Sequence, residues 1–413
     1  MSGFGTHHAT RSPLLWGGLI PPSPRSVHPG QRKTRCSVAE GRVSKDLSLK
    51  HVTLGNSDLL VSEACLGTMT YGQQNDEQEA HTIMSRAVDL GINFFDTAEM
   101  YPVAPKRETA GRTSTYIGSW LKTSSSKRED VIIASKIAGR TEVTTMKLQW
   151  LPANRSDPRG EEVMPRVDAK SIRSAVEGEL RRLQTDYIDL FQIHWPDRYR
   201  PFFGKVRYRP ENEWSPVPFE EQVQAMGNLI AEGKVRHWGL SNESTYGVTM
   251  MCITADKLNL PRPISVQNGY SLMDRNLEND LAETIAPSNF NLSLLPYSAA
   301  GGGALSGKYL NGARPKGARM SLFPDRYFRF LSDRSARATV EYGKIAREFG
   351  LTPVQLSYLF CKSRWFVESV IIGATTVEQL EENVNGFSLE LPQEALDAID
   401  GVHLKYSNPQ NLD

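Results

Sequence analysis

Beyond Leu47 the chain alternates two kinds of stretch. Short runs dense in apolar and β-branched residues predict strands: VSEACLGTMT near 61, INFFDTA near 92, VIIASK near 131 and YIDLFQIHW near 187. Four more follow, VRHWGLSN near 235, ISVQNGY near 264, LSLLPYSAA near 292 and SVIIGAT near 369. Their near-continuous apolarity suits parallel strands buried on both faces. Between them the period turns helical. In DAKSIRSAVEGELRRLQ, Ile172, Val176, Leu180 and Leu183 share one face with Arg and Glu opposite, and Asp168 stands where an N-cap belongs. Strands alternating with helices predict an α/β fold, either a doubly wound open sheet or a closed barrel. A count of eight favours the (β/α)8 TIM barrel. The open-sheet alternative also lacks its GxGxxG fingerprint between a first strand and helix. Connections after Lys136, Trp195 and Ser298 are longer than a barrel needs, and each follows a strand, where barrels gather their active-site loops.

Composition narrows the class. The 413 residues are 39% hydrophobic and 23% charged, with no apolar stretch long enough to cross a bilayer. A net charge of +1 speaks against a nucleic-acid partner, which would call for a basic surface. Cys36, Cys65, Cys252 and Cys361 form no CxxC pair and read as free thiols. The amino-terminal stretch differs from the rest. Met1 to Ala39 contains no Asp or Glu, is rich in Ser, Pro and Gly, and carries Arg11, Arg25, Arg32, Lys33 and Arg35. Residues 1–46 are therefore expected to be an organellar transit peptide, plastid (chloroplast) rather than mitochondrial, and residues 47–413 the barrel. A tail with no address is the plainer reading.

Four polar residues stand at or just beyond successive strand ends: Asp96 and Tyr101 in GINFFDTAEMYP, Lys136 in VIIASK and His194 in LFQIHWPD. Singly, each has an ordinary reading: a surface tyrosine, a snorkelling lysine, a helix-capping aspartate, a satisfied buried histidine. A metal site would need further ligands at workable spacing, and none is evident. Neighbouring parallel strands of a barrel end on one face, however, so the four can converge.

With these residues in view, the chain resembles the aldo-keto reductase superfamily, and within it the bacterial Tas-type proteins. The resemblance begins near His51 and rests on LGTMTYG, GINFFDTAEMYPV, IIASK, RLQTDYIDLFQIHWP, GLSNES, QNGYSL, PYSAAGGGALSGKYLNGARPKGARMSLF and IIGATTVEQLEENV. It implies reduction of a small-molecule carbonyl by NADPH, with Asp96, Tyr101, Lys136 and His194 as catalytic tetrad and Tyr101 as proton donor. It also implies a protein acting alone or in weak assemblies. The tetrad has a physical logic. A phenol titrates near 10, and a nearby ammonium is expected to lower that value. Asp96 would hold Lys136 in place, and His194 would orient the substrate oxygen.

Hydride must come from a cofactor. The resemblance assigns the nicotinamide amide to Ser241, Asn242 and Gln267, the ring to Tyr297, and the ribose to Thr68 and Met69, with Asp96 close by. The loop SAAGGGALSGKY supplies Ser298, Ala299, Ala300, Gly301, Gly302 and Leu305, then Lys308 for the phosphates. From Gly302 it nearly spells a nucleotide-triphosphate loop, but Tyr309 stands where Ser or Thr should be, so an NTPase is rejected. Gly373, Thr375, Gln379, Glu382 and Asn383 would surround the adenosine end, where Thr376 and Gln379 also fit a capping box. Arg319 matches the arginine directed at a 2′-phosphate, with Arg314 nearby, which favours NADPH over NADH. The sequence departs from the family at Ser114, where an acidic residue is usual, and at Ala299 and Ala300, where a bulkier pair is. Trp150, Trp195, Phe202, Phe203 and Trp214 are expected to wall the substrate. The competing readings are a nucleotide-binding sensor, like the potassium-channel β subunits of the superfamily, and a barrel hydrolase.

Overall fold

The computed structural model describes residues 49–140, 148–156 and 163–413, so the expected transit peptide lies outside the described residues. Ten strands are present among them: β1 (His51–Thr53), β2 (Leu60–Ser62), β3 (Ala64–Gly67), β4 (Phe94–Asp96), β5 (Ile132–Ile137), β6 (Ile188–Ile193), β7 (Val235–Ser241), β8 (Ser265–Gln267), β9 (Ser293–Leu294) and β10 (Val370–Gly373). β3 to β10 form one eight-stranded parallel sheet in the order β10-β3-β4-β5-β6-β7-β8-β9. Its two ends meet. Leu294 N–H donates to the Phe366 carbonyl at 2.9 Å, and Ile371 N–H to the Pro296 carbonyl at 3.1 Å. The sheet curls into the (β/α)8 barrel that the strand count favours.

Each of the eight apolar runs contains a barrel strand, most of them shorter than the run. β9 keeps two residues of LSLLPYSAA, since Pro296 has no N–H to give a ladder. The run near 61 divides at Glu63: β2 pairs antiparallel with β1, and only β3 joins the barrel. Period-2 side chains explain the two cores. Cys65, Phe94, Ala134, Leu190 and Leu295 turn inward, and Leu54, Leu59 and Val61 of the β1–β2 hairpin fill the space beneath them. Phe95, Ile133, Phe191 and Trp238 turn outward beneath the helices. Gly55 at the hairpin tip has φ +55°, and its N–H donates to Ser293 Oγ at 2.6 Å, so the hairpin closes the amino-terminal end of the barrel.

The outer helices follow the predicted logic. Asp168 caps Ala169–Leu183, accepting from Ser171 N–H at 2.8 Å. Ser114 lies inside the helix Arg112–Thr123, capped by Gly111, and donates to the buried Glu179 carboxylate at 2.7 Å. Thr376 caps Val377–Gly386 by accepting from Gln379 N–H at 3.3 Å. The Gln379 side chain reaches one residue further back than a capping box requires, taking the Thr375 N–H at 3.0 Å. None of the helices among the described residues is long and apolar enough to cross a membrane.

Candidate active site

Inward-facing positions near the carboxyl ends of the strands carry polar side chains, and these build the site. Asp96 ends β4 and Lys136 lies in the last turn of the pleat of β5, both shielded from solvent. The Lys136 ammonium donates to Asp96 Oδ2 at 2.6 Å and to the Thr97 carbonyl at 2.8 Å. Gln267 Nε2, from the end of β8, donates to Asp96 Oδ1 at 2.8 Å, so the carboxylate has partners on both oxygens. Tyr101 follows in the loop after β4, its ring centroid 5.0 Å from the Lys136 ammonium. His194, one residue past β6, meets the same ring edge-on at 5.7 Å between centroids. The four separated residues are brought together.

The electrostatics correct one expectation. Burial, reinforced by the Asp96 carboxylate, pushes the Tyr101 hydroxyl well above the ordinary range of a phenol. The lysine does not offset this, because its charge is matched by Asp96 at 2.6 Å. The hydroxyl is thus held protonated. Burial, and then Lys136, push His194 far below the usual imidazole range, leaving the ring neutral, with Nδ1 buried and unpartnered among the described residues.

Glu99 ties these pieces together and was not singled out by the sequence. It lies between Asp96 and Tyr101, accepts from Ala138 N–H at 2.7 Å, and pairs with Arg155 at 2.8 and 2.9 Å. Its own N–H donates to the Lys136 carbonyl at 3.2 Å. The loop carrying Tyr101 and the strand end carrying Lys136 are therefore stitched by one buried carboxylate. A charged residue inside GINFFDTAEMYP was the available signal; Arg155, in a long connection, offered none.

From Tyr101 and His194 a cavity of about 740 Å3 runs across the barrel mouth to Gly373 and Gln379. Thr68, Met69, Ser241, Asn242, Gln267, Tyr297, Ser298, Ala299, Ala300, Gly302, Lys308, Arg319, Thr375, Glu382 and Asn383 also line it. Gly301 and Leu305 do not. Both are buried, with Leu305 packed in the core under the short helical turn Gly301–Ser306. Arg314 is turned to solvent and donates to its own neighbour Ala313, whereas Arg319 faces the cleft. Of the aromatic residues, Trp195, Phe202 and Phe203 form wall; Trp150 packs behind Tyr101, and Trp214 stacks on Arg140 at 4.6 Å. Gln74, Tyr358 and Arg329 also line the cleft and were not anticipated.

At the inner end, Tyr297 Oη donates to Asn242 Oδ1 at 2.5 Å, Asn242 Nδ2 to the His194 carbonyl at 2.8 Å, and Ser241 Oγ to the Gln267 carbonyl at 2.8 Å. Oxygens on Ser241, Asn242 and Gln267 keep lone pairs for an N–H donor. At the outer end, Gly302 and Gly303 have positive φ, and a Cβ on Gly303 would stand 3.4 Å from the Lys308 ammonium. Burial and the neighbouring Arg319 both push Lys308 below its ordinary range. Like charges held together in a glycine-lined turn suit an anion. No group of side chains that could hold a metal occurs among the described residues.

Comparison with known proteins bears on this arrangement. The family described as "Aldo/keto reductase family" matches residues 63–403. "Protein tas" of Escherichia coli (strain K12) is 41% identical over 361 residues, covering 87% of this chain and 99% of that protein. An "Aldo-keto reductase" of Babesia bovis is 35% identical over 68% of this chain and 98% of its own. A "Probable voltage-gated potassium channel subunit beta" of Oryza sativa subsp. japonica is 30% identical over 86% and 96%. With a closed barrel, four converging polar residues at its mouth and a family match across most of its length, the chain belongs to the aldo/keto reductase family, whose members are oxidoreductases acting on carbonyl compounds.

Proposed function

We propose that the protein reduces an aldehyde or ketone to the alcohol with NADPH, Tyr101 giving the proton. The observation that carries this reading is the buried Asp96–Lys136 pair against the Tyr101 ring, at the inner end of a cleft whose outer end is cationic. The residues present fit a nicotinamide nucleotide: acceptor oxygens of Ser241, Asn242 and Gln267 for the amide, Tyr297 for the ring, and Lys308 and Arg319 for phosphates. When bound, that nucleotide supplies the hydride. The protein does the rest. The neutral imidazole of His194 orients the carbonyl oxygen, and the protonated Tyr101 hydroxyl donates to it as charge develops. Lys136, held by Asp96 and the Thr97 carbonyl, sets its ammonium 5.0 Å from the centre of the phenol ring and so helps fix the ring that presents the hydroxyl.

The test is NADPH oxidation by a panel of aldehydes and ketones, run beside Tyr101→Phe and Arg319→Gln. Tyr101→Phe should lose on the order of 10²–10⁴-fold in rate while still quenching NADPH fluorescence. Arg319→Gln should narrow the preference for NADPH over NADH. A second reading, a nucleotide-binding redox sensor or regulatory subunit with little turnover, draws on the potassium-channel-subunit relative. Failure of bound NADPH to oxidise in a single turnover with a reactive aldehyde would favour it.

We also propose that residues 1–46 address the protein to a plastid, on the strength of their acid-free, Ser-, Pro- and Arg-rich start. A fusion of these residues to a fluorescent protein that remains in the cytosol refutes this.

A further inference from the structure

A second chamber, of about 570 Å3, lies beside the cleft and shares Phe203, Tyr297, Ser298 and Arg329 with it. Its charges are unusually placed. Arg329 is 8% exposed, lies over Phe203 at 5.6 Å and Phe330 at 4.3 Å, and donates through Nε to the neutral Gln410 side chain at 3.3 Å. Arg200 donates through Nη1 to the Asn242 carbonyl at 2.5 Å. Neither has a carboxylate within ion-pair distance among the described residues. Their neighbour Arg198 shows the contrast, being paired with Glu243. Asp274, which also lines the chamber, is occupied by Asn276 Nδ2 at 2.7 Å and by Gln410. Burial pushes both Arg200 and Arg329 below the ordinary guanidinium range, and pushes Asp274 up.

Charged groups taken out of water are normally paired, because removing their hydration without a counter-charge is costly. The buried guanidinium of Arg329 and the half-buried one of Arg200 around one hollow are a receptor for an anion, and planar forks suit carboxylate and phosphate oxygens. The nucleotide phosphates do not account for them, since Lys308 and Arg319 wait elsewhere in the cleft. A path to the reacting centre exists. His194 meets Trp195 at 4.6 Å, Trp195 meets Phe202 at 6.4 Å, Phe202 meets Phe203 at 4.7 Å, and Phe203 meets Arg329. This aromatic run lines the way between the imidazole and the guanidinium with apolar surface.

We propose that the substrate is an aldehyde or ketone bearing an acidic group, carboxylate or phosphate, which Arg329 and Arg200 receive while the carbonyl lies against Tyr101 and His194. This rests on the reductase reading above. The experiment compares kcat/KM for 4-oxobutanoate with that for its methyl ester, and for glyceraldehyde 3-phosphate with that for glyceraldehyde. The wild-type protein should prefer at least one acidic compound about tenfold or more, and the pair showing the larger preference identifies the acid. Arg329→Gln should cut that preference about tenfold, as expected when one partner of a charged contact is removed. The wild-type preference needs no variant, and NADP+ titration of the variant reports whether it has folded. Equal or better turnover of the neutral partner in both pairs overturns the proposal. A second readout separates it from its parent: each acidic compound is titrated into the protein with NADP+, where no reduction occurs. Arg329-dependent binding without any NADPH oxidation sinks the reductase reading and keeps the anion chamber. Absence of both overturns both.

Discussion

His194 keeps a neutral imidazole in a buried setting, and that has a consequence for stability as well as for chemistry. Its folded-state value is depressed below the unfolded value of about 6.5. Between the two, the unfolded chain binds a proton that the folded chain refuses, so stability is full above pH 6.5 and falls as pH drops below it. The slope for one proton is about 1.4 kcal/mol per pH unit. Denaturant unfolding at pH 7.5, 6 and 5 should show the wild type losing ground to His194→Gln as the solution is acidified. A constant difference between them would contradict the assignment. At this scale the tetrad was legible because each member stands at a strand end or just past one, where topology alone brings distant residues together. That Gly301 and Leu305 turn away from the cleft could not be read, because a glycine-rich loop gives no hint of which way its turn faces. Arg329 and Arg155 escaped notice since they sit in long connections, and their partners come from other parts of the chain.

Among the elements, the eight barrel strands and the capped helix after Asp168 could be read from periodicity, which burial on two faces or one enforces. The hairpin could not. Leu60–Ser62 and Ala64–Gly67 form one apolar run, and only tertiary pairing decides that the first half leaves the barrel at Glu63. The hairpin's fit depends on a close approach at its tip. A Cβ on Gly55 would stand 2.1 Å from the Ile264 carbonyl oxygen, on a backbone already at positive φ. Gly55→Ala should therefore cost roughly 1–3 kcal/mol, read as a lower denaturant midpoint with unchanged slope. A midpoint like that of the wild type would show that the hairpin does not seat as tightly as this contact requires.

The whole molecule depends on the seam where β9 meets β10. Glu368 sits just before β10, beside Ser293, with Oε2 buried and unpartnered among the described residues. Burial pushes its carboxyl up to about 7. The unfolded group titrates near 4.5, so the folded state binds the extra proton between these values and stability declines as pH rises through that window. Glu368→Gln should stabilise the protein by about 2 kcal/mol at pH 8, with the gain vanishing near pH 4. Equal stabilities at pH 8 would refute the burden assigned to this carboxylate. The hairpin at the opposite end from the cleft has a further effect on this scale. With the floor stoppered by Leu54, Leu59 and Val61, traffic is confined to the rim. The nucleotide and carbonyl compound proposed above would then share one doorway, and whichever lay deepest would have to wait for its neighbour to leave.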